Sequence, residues 1–366
     1  MDTSTSSQPQ VPAEHADPGA AQAEAGQADA VPPGGEPPEF LASLRSMYGP
    51  EVRFLGCPPV DLRDVESVAQ CDVVIIGAPF DSGTSYRSGA RFGPQAIRAA
   101  DYNPHIPVRP SLALGIDPFE VLAIADAGDI LMPPAQFELS LARLEDAVAT
   151  VAERDAIPVV LGGDHSIALA DVRGVARRFG FGRVAVLHFD AHCDSFYTEF
   201  GSLYGHGTPM RRLLECGAAR GDRFFQVGLR GYWPDREHQA WMRGQGMRWY
   251  EMAEIGSRGL DACLDEVFEL ATKDCDGVFC SIDIDVVDPA MAPGTGTPEV
   301  GGLTSRQMLD AARRCAAELP VVGMDLVEVA PAYDGPGQIT AFLANRIVLE
   351  MLCGIARQRA SERGEA

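Results

Sequence analysis

Positive charge is scarce in this chain. Its 366 residues carry 52 Asp and Glu against 30 Lys and Arg, a formal net charge of −22. A surface of that sign repels nucleic acid and anionic membranes, so both are excluded as partners. Long apolar runs are missing too: none reaches the roughly 18 residues that a bilayer crossing needs. The N-terminus has neither a basic start nor an apolar stretch, so no secretory signal is read there. The nine cysteines are odd in number, and none is spaced Cys-x-x-Cys. Cys71, Cys280 and Cys353 lie in or beside apolar runs. That pattern fits reduced thiols in a cytoplasmic protein rather than a disulfide framework. No Gly-x-Gly-x-x-Gly follows an early strand and no Gly-x-x-x-x-Gly-Lys-Ser/Thr occurs, which speaks against a dinucleotide or P-loop fold.

Residues 1–38 contain no Lys or Arg and hold six acids among Ala, Pro, Gly, Ser and Gln; the first basic residue is Arg45. Such a segment cannot bury enough apolar surface to offset its ordering entropy and is read as a disordered acidic tail. Residues 39–366 are read as one domain. Within them apolar runs recur at 72–77, 121–125, 158–161, 184–189, 224–228, 247–250, 277–283 and 320–326. Amphipathic stretches lie between them near 135–155, 167–180, 208–217, 258–272, 303–318 and 338–357. This alternation predicts an α/β protein with a parallel sheet covered on both faces.

Three of the runs end in groups that need a partner. Val184-Ala185-Val186-Leu187 leads into His188-Phe189-Asp190-Ala191-His192-Cys193-Asp194, and Val278-Phe279-Cys280 into Ser281-Ile282-Asp283-Ile284-Asp285. Residues two apart on extended chain point the same way. Asp190, His192 and Asp194 thus share one side, and Asp283 and Asp285 another. Pro158-Val159-Val160-Leu161 ends in Gly162-Gly163-Asp164-His165-Ser166, which places His165 at a strand's carboxyl edge. Buried unpaired, these carboxylates would repel one another. Divalent cations solve that problem, and mixed oxygen and imidazole donors suit Mn, Zn, Ni or Fe. The six residues suffice for two ions if a carboxylate bridges them. Asp164 reads as a helix start, Asp288 before Pro289 as a turn residue, and Cys193 as a small side chain packed behind the site. His15, His105 and His238 have no ligand spacing and read as surface residues.

Together with Ala292-Pro293-Gly294-Thr295-Gly296-Thr297-Pro298-Glu299, the three motifs resemble the signatures of the ureohydrolases, the arginase and agmatinase family, and its agmatinase branch in particular. The resemblance runs from about residue 60 to the C-terminus. It implies a three-layer α/β/α sandwich with an eight-stranded, mainly parallel sheet, assembled as homotrimers or hexamers. It also implies two divalent ions per chain, Mn2+ first and Ni2+ as the alternative. His165, Asp190, Asp194 and Asp283 would hold one ion, and Asp190, His192, Asp283 and Asp285 the other. His188 would support the site without being a ligand. The reaction implied is hydrolysis of a guanidine to urea and an amine, with Asp194 carrying a proton to the departing nitrogen. Glu328, in Met324-Asp325-Leu326-Val327-Glu328-Val329, matches the carboxylate that binds the guanidinium, and His206 matches a histidine near the pocket mouth.

Substrate choice is less determined. The loop after Asp194 reads Ser195-Phe196-Tyr197-Thr198-Glu199-Phe200-Gly201-Ser202-Leu203-Tyr204, aromatic with one acid. The resemblance implies a loop rich in Asn, Thr and Ser where an amino-acid head group is held, so this aromatic loop disfavours arginine. Glu199 could meet the distal ammonium of agmatine. Tyr232 and Trp233, in Gly228-Leu229-Arg230-Gly231-Tyr232-Trp233-Pro234, could close the pocket or cover an alkylated guanidine by cation–π contact, and Tyr197 with Trp233 is expected to help set substrate choice. Agmatine, cleaved to putrescine and urea, is the first expectation, with 4-guanidinobutyrate, free guanidine and alkylated guanidines or biguanides as alternatives. A non-catalytic homologue that supports a related active subunit also stays open. A single-zinc deacetylase of related fold would not need the second Asp-x-Asp pair.

Overall fold

The computed structural model describes residues 51–103 and 108–364. The tail at 1–38, its boundary, His15 and His105 lie outside the described residues. In chain order the elements are β1 (Val73–Ala78), α1 (Gly93–Ala99), β2 (Ile124–Asp129), α2 (Phe137–Ala152), β3 (Ile157–Gly162), α3 (Ala168–Phe179), β4 (Val184–Phe189) and α4 (Pro209–Glu215). Then come β5 (Phe224–Leu229), α5 (Arg236–Gln245), β6 (Arg248–Glu251), α6 (Met252–Arg258), α7 (Leu260–Ala271), β7 (Gly277–Asp283), α8 (Ser305–Glu318), β8 (Val321–Val327) and α9 (Ile339–Arg363).

Each apolar run becomes a strand. The eight form one sheet in the order β2-β1-β3-β8-β7-β4-β5-β6, and every pairing is parallel. Alternation along each strand divides the core in two. Val73, Ile75, Leu187 and Cys280 face α1, α6, α7, α8 and α9. Val74, Ile76, Val186 and Phe279 face α2, α3, α4 and α5. This is the expected α/β/α sandwich, and it explains why the central strands read as unbroken apolar runs.

The second run is shifted. Strand β2 starts at Ile124 because Pro118–Val121 forms a helical turn capped by Asp117. The stretch at 338–357 is not amphipathic as expected. Helix α9 is 25 residues long and apolar enough to cross a membrane by length and composition, yet 72% of its most apolar window is buried inside the protein. Its cover is α8, whose apolar stripe of Met308, Ala311, Ala312 and Cys315 repeats at helical spacing. A Thr304–Gln307 capping box starts α8.

The winding reverses between β3 and β4: the chain leaves β3 on one side of β8 and β7 and re-enters beyond them. Open parallel sheets hold their sites at the carboxyl ends of strands beside such a reversal. Here β3, β8, β7 and β4 are the four central strands, and the six candidate ligands and Glu328 lie at or just beyond the carboxyl ends of these four.

Candidate metal centre and substrate cavity

Strand β3 ends in two glycines because the chain after β1 passes directly over it. A Cβ on Gly163 would collide with the Phe80 carbonyl, and one on Gly162 with Val327. Asp164 then caps the next turn by accepting from Ser166 N, and it also accepts from Gly83 N at 2.7 Å. This fits its expected role at a helix start. The turn delivers His165, fully buried, into the carboxylates of the neighbouring strands. Its Nδ1 lies 3.0 Å from Asp190 Oδ2, 3.0 Å from Asp194 Oδ2 and 3.2 Å from Asp283 Oδ2.

A second cluster sits beside the first. His192 Nδ1 lies 3.0 Å from Asp285 Oδ2 and 3.5 Å from Asp190 Oδ1. All six sequence-predicted ligands are therefore brought together, and Asp190 faces both imidazoles. Backbone amides fix the carboxylates: His192 N donates to Asp190, Ala191 N to Asp285, and Asp285 N to Asp283. Asp194 and Glu328 take positive φ, 45° and 63°, an unusual backbone for side-chain-bearing residues that is often found at functional sites.

Whether cations fit can be read from the donors. His165 Nδ1 and Asp285 Oδ2 are buried with no hydrogen-bond partner among the described residues. Burial, then Asp285 and Asp190, push the Asp283 carboxyl well above the usual range. Burial works to lower the His165 ring, yet Asp190, Asp194 and Asp283 hold it well above its ordinary value. A crowd of buried anions drawing protons onto itself is a site short of positive charge, and the oxygen and imidazole donors suit divalent ions.

His188 is supported from behind. Gln226 donates to its Nδ1 at 2.9 Å and to the Cys193 carbonyl at 2.8 Å, which leaves Nε2–H to donate to Asp190 Oδ2 at 2.8 Å. Glu328 Oε1 accepts from His165 N at 2.9 Å and from His206 Nδ1 at 2.8 Å, while Oε2 is buried without a donor. Burial opposes protonation of His206, but Glu328 beside it raises the ring to about 10. Its Nε2 faces Ser85 Oγ at 2.6 Å.

A cavity of about 570 Å³ opens over these groups, lined by Ser85, His192, Asp194, Phe196, Thr198, Glu199, Phe200, His206, Trp233, Asp283 and Thr297 among others. Glu199 accepts from Gly207 N at 3.1 Å and keeps Oε1 3.6 Å from His206 Nε2. Tyr197 is not part of this wall. Its ring turns outward beneath Arg211 and Arg212. Phe196, Thr198 and Phe200 take the place expected for it.

His238 is not a surface residue. It sits half-buried on α5, with Nε2 2.9 Å from Ser195 Oγ and its ring against Phe196. Asp235, which caps α5, was the available signal. No local sequence pattern singles out Ser85, and Ser281, Asp325 and Thr297 lie inside motifs that do not by themselves assign them a role. Asp288 accepts from Ala290, Gly301 and Gly302 amides, as a turn residue should.

Comparison with known proteins places this geometry. The model described as "Arginase family" matches residues 71–354. Proclavaminate amidinohydrolase of Streptomyces clavuligerus is 40% identical over 295 residues, 80% of this chain and 90% of that protein. Its solved structure aligns with a TM-score of 0.75, covering 85% of this chain and 99% of that one. A guanidinobutyrase of Pseudomonas aeruginosa is 39% identical, covering 81% of this chain and 92% of that protein. A mitochondrial agmatinase of Gallus gallus is also 39% identical, covering 81% and 85%. A Trypanosoma cruzi formiminoglutamase solved with Mn2+ aligns at 28% identity with a TM-score of 0.71, covering 81% and 98%.

Proposed function

The chain belongs to the arginase family and is an amidinohydrolase, and from that premise we propose that it cleaves agmatine to putrescine and urea at two divalent ions. The observation that carries the choice is Glu199. Apart from Asp194 and Asp283, which face His165, it is the only carboxylate lining the cavity, and no Arg or Lys lines it among the described residues. A distal ammonium is attracted there, whereas the carboxylate of a guanidino acid is repelled. Relatives named for agmatine and for guanidinobutyrate are equally similar, so cavity chemistry rather than identity supports the reading.

His165, Asp190, Asp194 and Asp283 would hold one ion, and Asp190, His192, Asp283 and Asp285 the other. Divalent ions held there would supply the acidity that turns a water into the nucleophile. The protein does the rest. Glu328 Oε2, buried without a donor, accepts from the guanidinium. Asp194 takes the proton released at the nucleophile and passes it to the departing nitrogen, since an amide anion leaves poorly. His206 contacts the leaving amine beside Ser85. Mn2+ is the first choice and Ni2+ the alternative. A homotrimer or homohexamer in the cytoplasm completes the proposal.

A second reading has its own observation: Phe196, Phe200 and Trp233 make the wall aromatic, which suits an alkylated guanidine or biguanide. Agmatine, arginine, 4-guanidinobutyrate, guanidinopropionate, guanidine and alkylated biguanides should be assayed for urea with Mn2+ and with Ni2+. Agmatine should give the highest kcat/KM. A guanidino acid in first place overturns the Glu199 argument, and an alkylated guanidine there selects the second reading. No urea from any of them, with both ions bound, points to a supporting subunit.

A further inference from the structure

Two loops supply the aromatic part of the cavity wall, and one side chain outside the cavity joins them. Phe196 follows the Asp194 turn, and Trp233 lies in the loop that leads into α5; both line the cavity. Their rings meet edge-on, with centroids 6.4 Å apart and planes at 80°. His238, in the first turn of α5, is not one of the lining residues. Its backbone amide donates at 2.9 Å to Asp235 Oδ1, on the residue that caps α5 just after Trp233 and Pro234. Its Nε2 lies 2.9 Å from Oγ of Ser195, a fully buried residue directly before Phe196. The imidazole packs against both Phe196 and Trp241, with ring centroids 4.9 Å and 5.4 Å away.

The backbone of the Asp194 loop is held without His238. Met210 N donates to the Asp194 carbonyl and Phe196 N to the Gly207 carbonyl, both at 3.0 Å. Those bonds leave the side-chain torsions of Phe196 free. A ring with space behind it samples more than one rotamer, and the imidazole occupies that space. The bond to Ser195 keeps the imidazole from turning away. Burial, then the charge of Arg211, hold the His238 ring below its ordinary value, so a neutral ring meets Phe196. Phe196 offers no hydrogen bond and Trp233 only an indole N–H. The corner they form therefore selects by shape, and selection by charge is left to Glu199.

We propose that His238 is a positioning residue that sets the girth of substrate the enzyme accepts: it braces Phe196 against the edge of Trp233 and so fixes the width of the cavity, while Glu199 reads the charge at the substrate's far end. The inference rests on the reading of this cavity as a guanidine site.

The full chain, loaded with Mn2+, is assayed for urea with agmatine, with agmatine carrying one methyl branch on its chain, and with 4-guanidinobutyrate. The branched analogue differs from agmatine in girth, and 4-guanidinobutyrate differs in terminal charge. His238→Ala lowers the kcat/KM preference for agmatine over the branched analogue by about tenfold, the worth of one ill-fitting methylene in an apolar pocket. The change lies in KM, with kcat for agmatine little altered. The preference between agmatine and 4-guanidinobutyrate stays as in wild type. His238→Phe returns a flat ring to Phe196 and restores the girth preference. His238→Gln keeps a partner for Ser195 without a ring and behaves as His238→Ala does; it also replaces that variant if His238→Ala does not fold. An unchanged girth preference in His238→Ala overturns the proposal. So does an equal change in both preferences, a fall in kcat common to all three substrates, or failure of His238→Phe to restore selection. Crystal structures of Mn2+-loaded wild type and His238→Ala give a readout that needs no turnover. A Phe196 ring rotated off the edge of Trp233 is expected in the variant, and an unmoved ring overturns the proposal. Wild type that releases no urea from any guanidine strikes the reading of the cavity itself, and the Phe196 ring then still decides whether His238 positions it.

Discussion

Asp283 spans the two halves of the centre. One carboxylate oxygen lies 3.2 Å from His165 Nδ1, and the other receives the amide of Asp285, which faces His192. Asp283→Ala should therefore leave less than about one ion per chain, since removing a bridge costs both sites. His165→Ala should mainly weaken one. Elemental analysis of both variants after identical Mn2+ loading checks this, and equal losses would show that Asp283 is not shared. The ligands were legible because period-2 spacing within a strand shows in the sequence itself. Their support was not. Ser281 meets Asp325 across 44 positions of sequence and His165 across 116, and no local pattern reports a pairing of that span.

At the scale of elements, the strands were legible because both sheet faces are covered and each run is apolar throughout. Helix α5 was not, because only Met242 of its ten residues is buried and most of the others are polar. The loop that leads into α5 is held by Arg230. That guanidinium has no carboxylate partner among the described residues. It donates instead to the carbonyls of Gly228, Asp285, Val286, Glu299 and Val300, joining the Trp233 loop to the segment after β7. Arg230→Met should cost about 1–3 kcal/mol through buried acceptors left without donors. It should also raise KM for every guanidine together. A thermal melt and steady-state kinetics test both parts, and an unchanged melting temperature would mean that water replaces the guanidinium. Trp233→Ala, at the tip of the same loop, should change the ratio of kcat/KM between alkylated and long-chain guanidines by roughly 10-fold, with kcat little altered. Unchanged ratios would make Trp233 a packing residue only.

At the scale of the whole molecule, charge is unevenly shared along the chain. Residues 1–38 hold six carboxylates and no Lys or Arg, so they account for −6 of the −22 and leave −16 on the rest. None of the site residues named above belongs to that segment. A chain starting at Glu39 should keep both ions and its kcat. A several-fold fall in kcat would assign the segment a role at the site or at a subunit contact. The architecture as a whole separates two kinds of change. The groups facing the ions end strands or follow them directly, whereas Phe196, Phe200 and Trp233 lie on loops at the cavity wall. Substitutions in those loops can re-aim the enzyme at a different amine while the bond-breaking apparatus stays as it is. Preference is thus free to drift in a lineage long before the chemistry does.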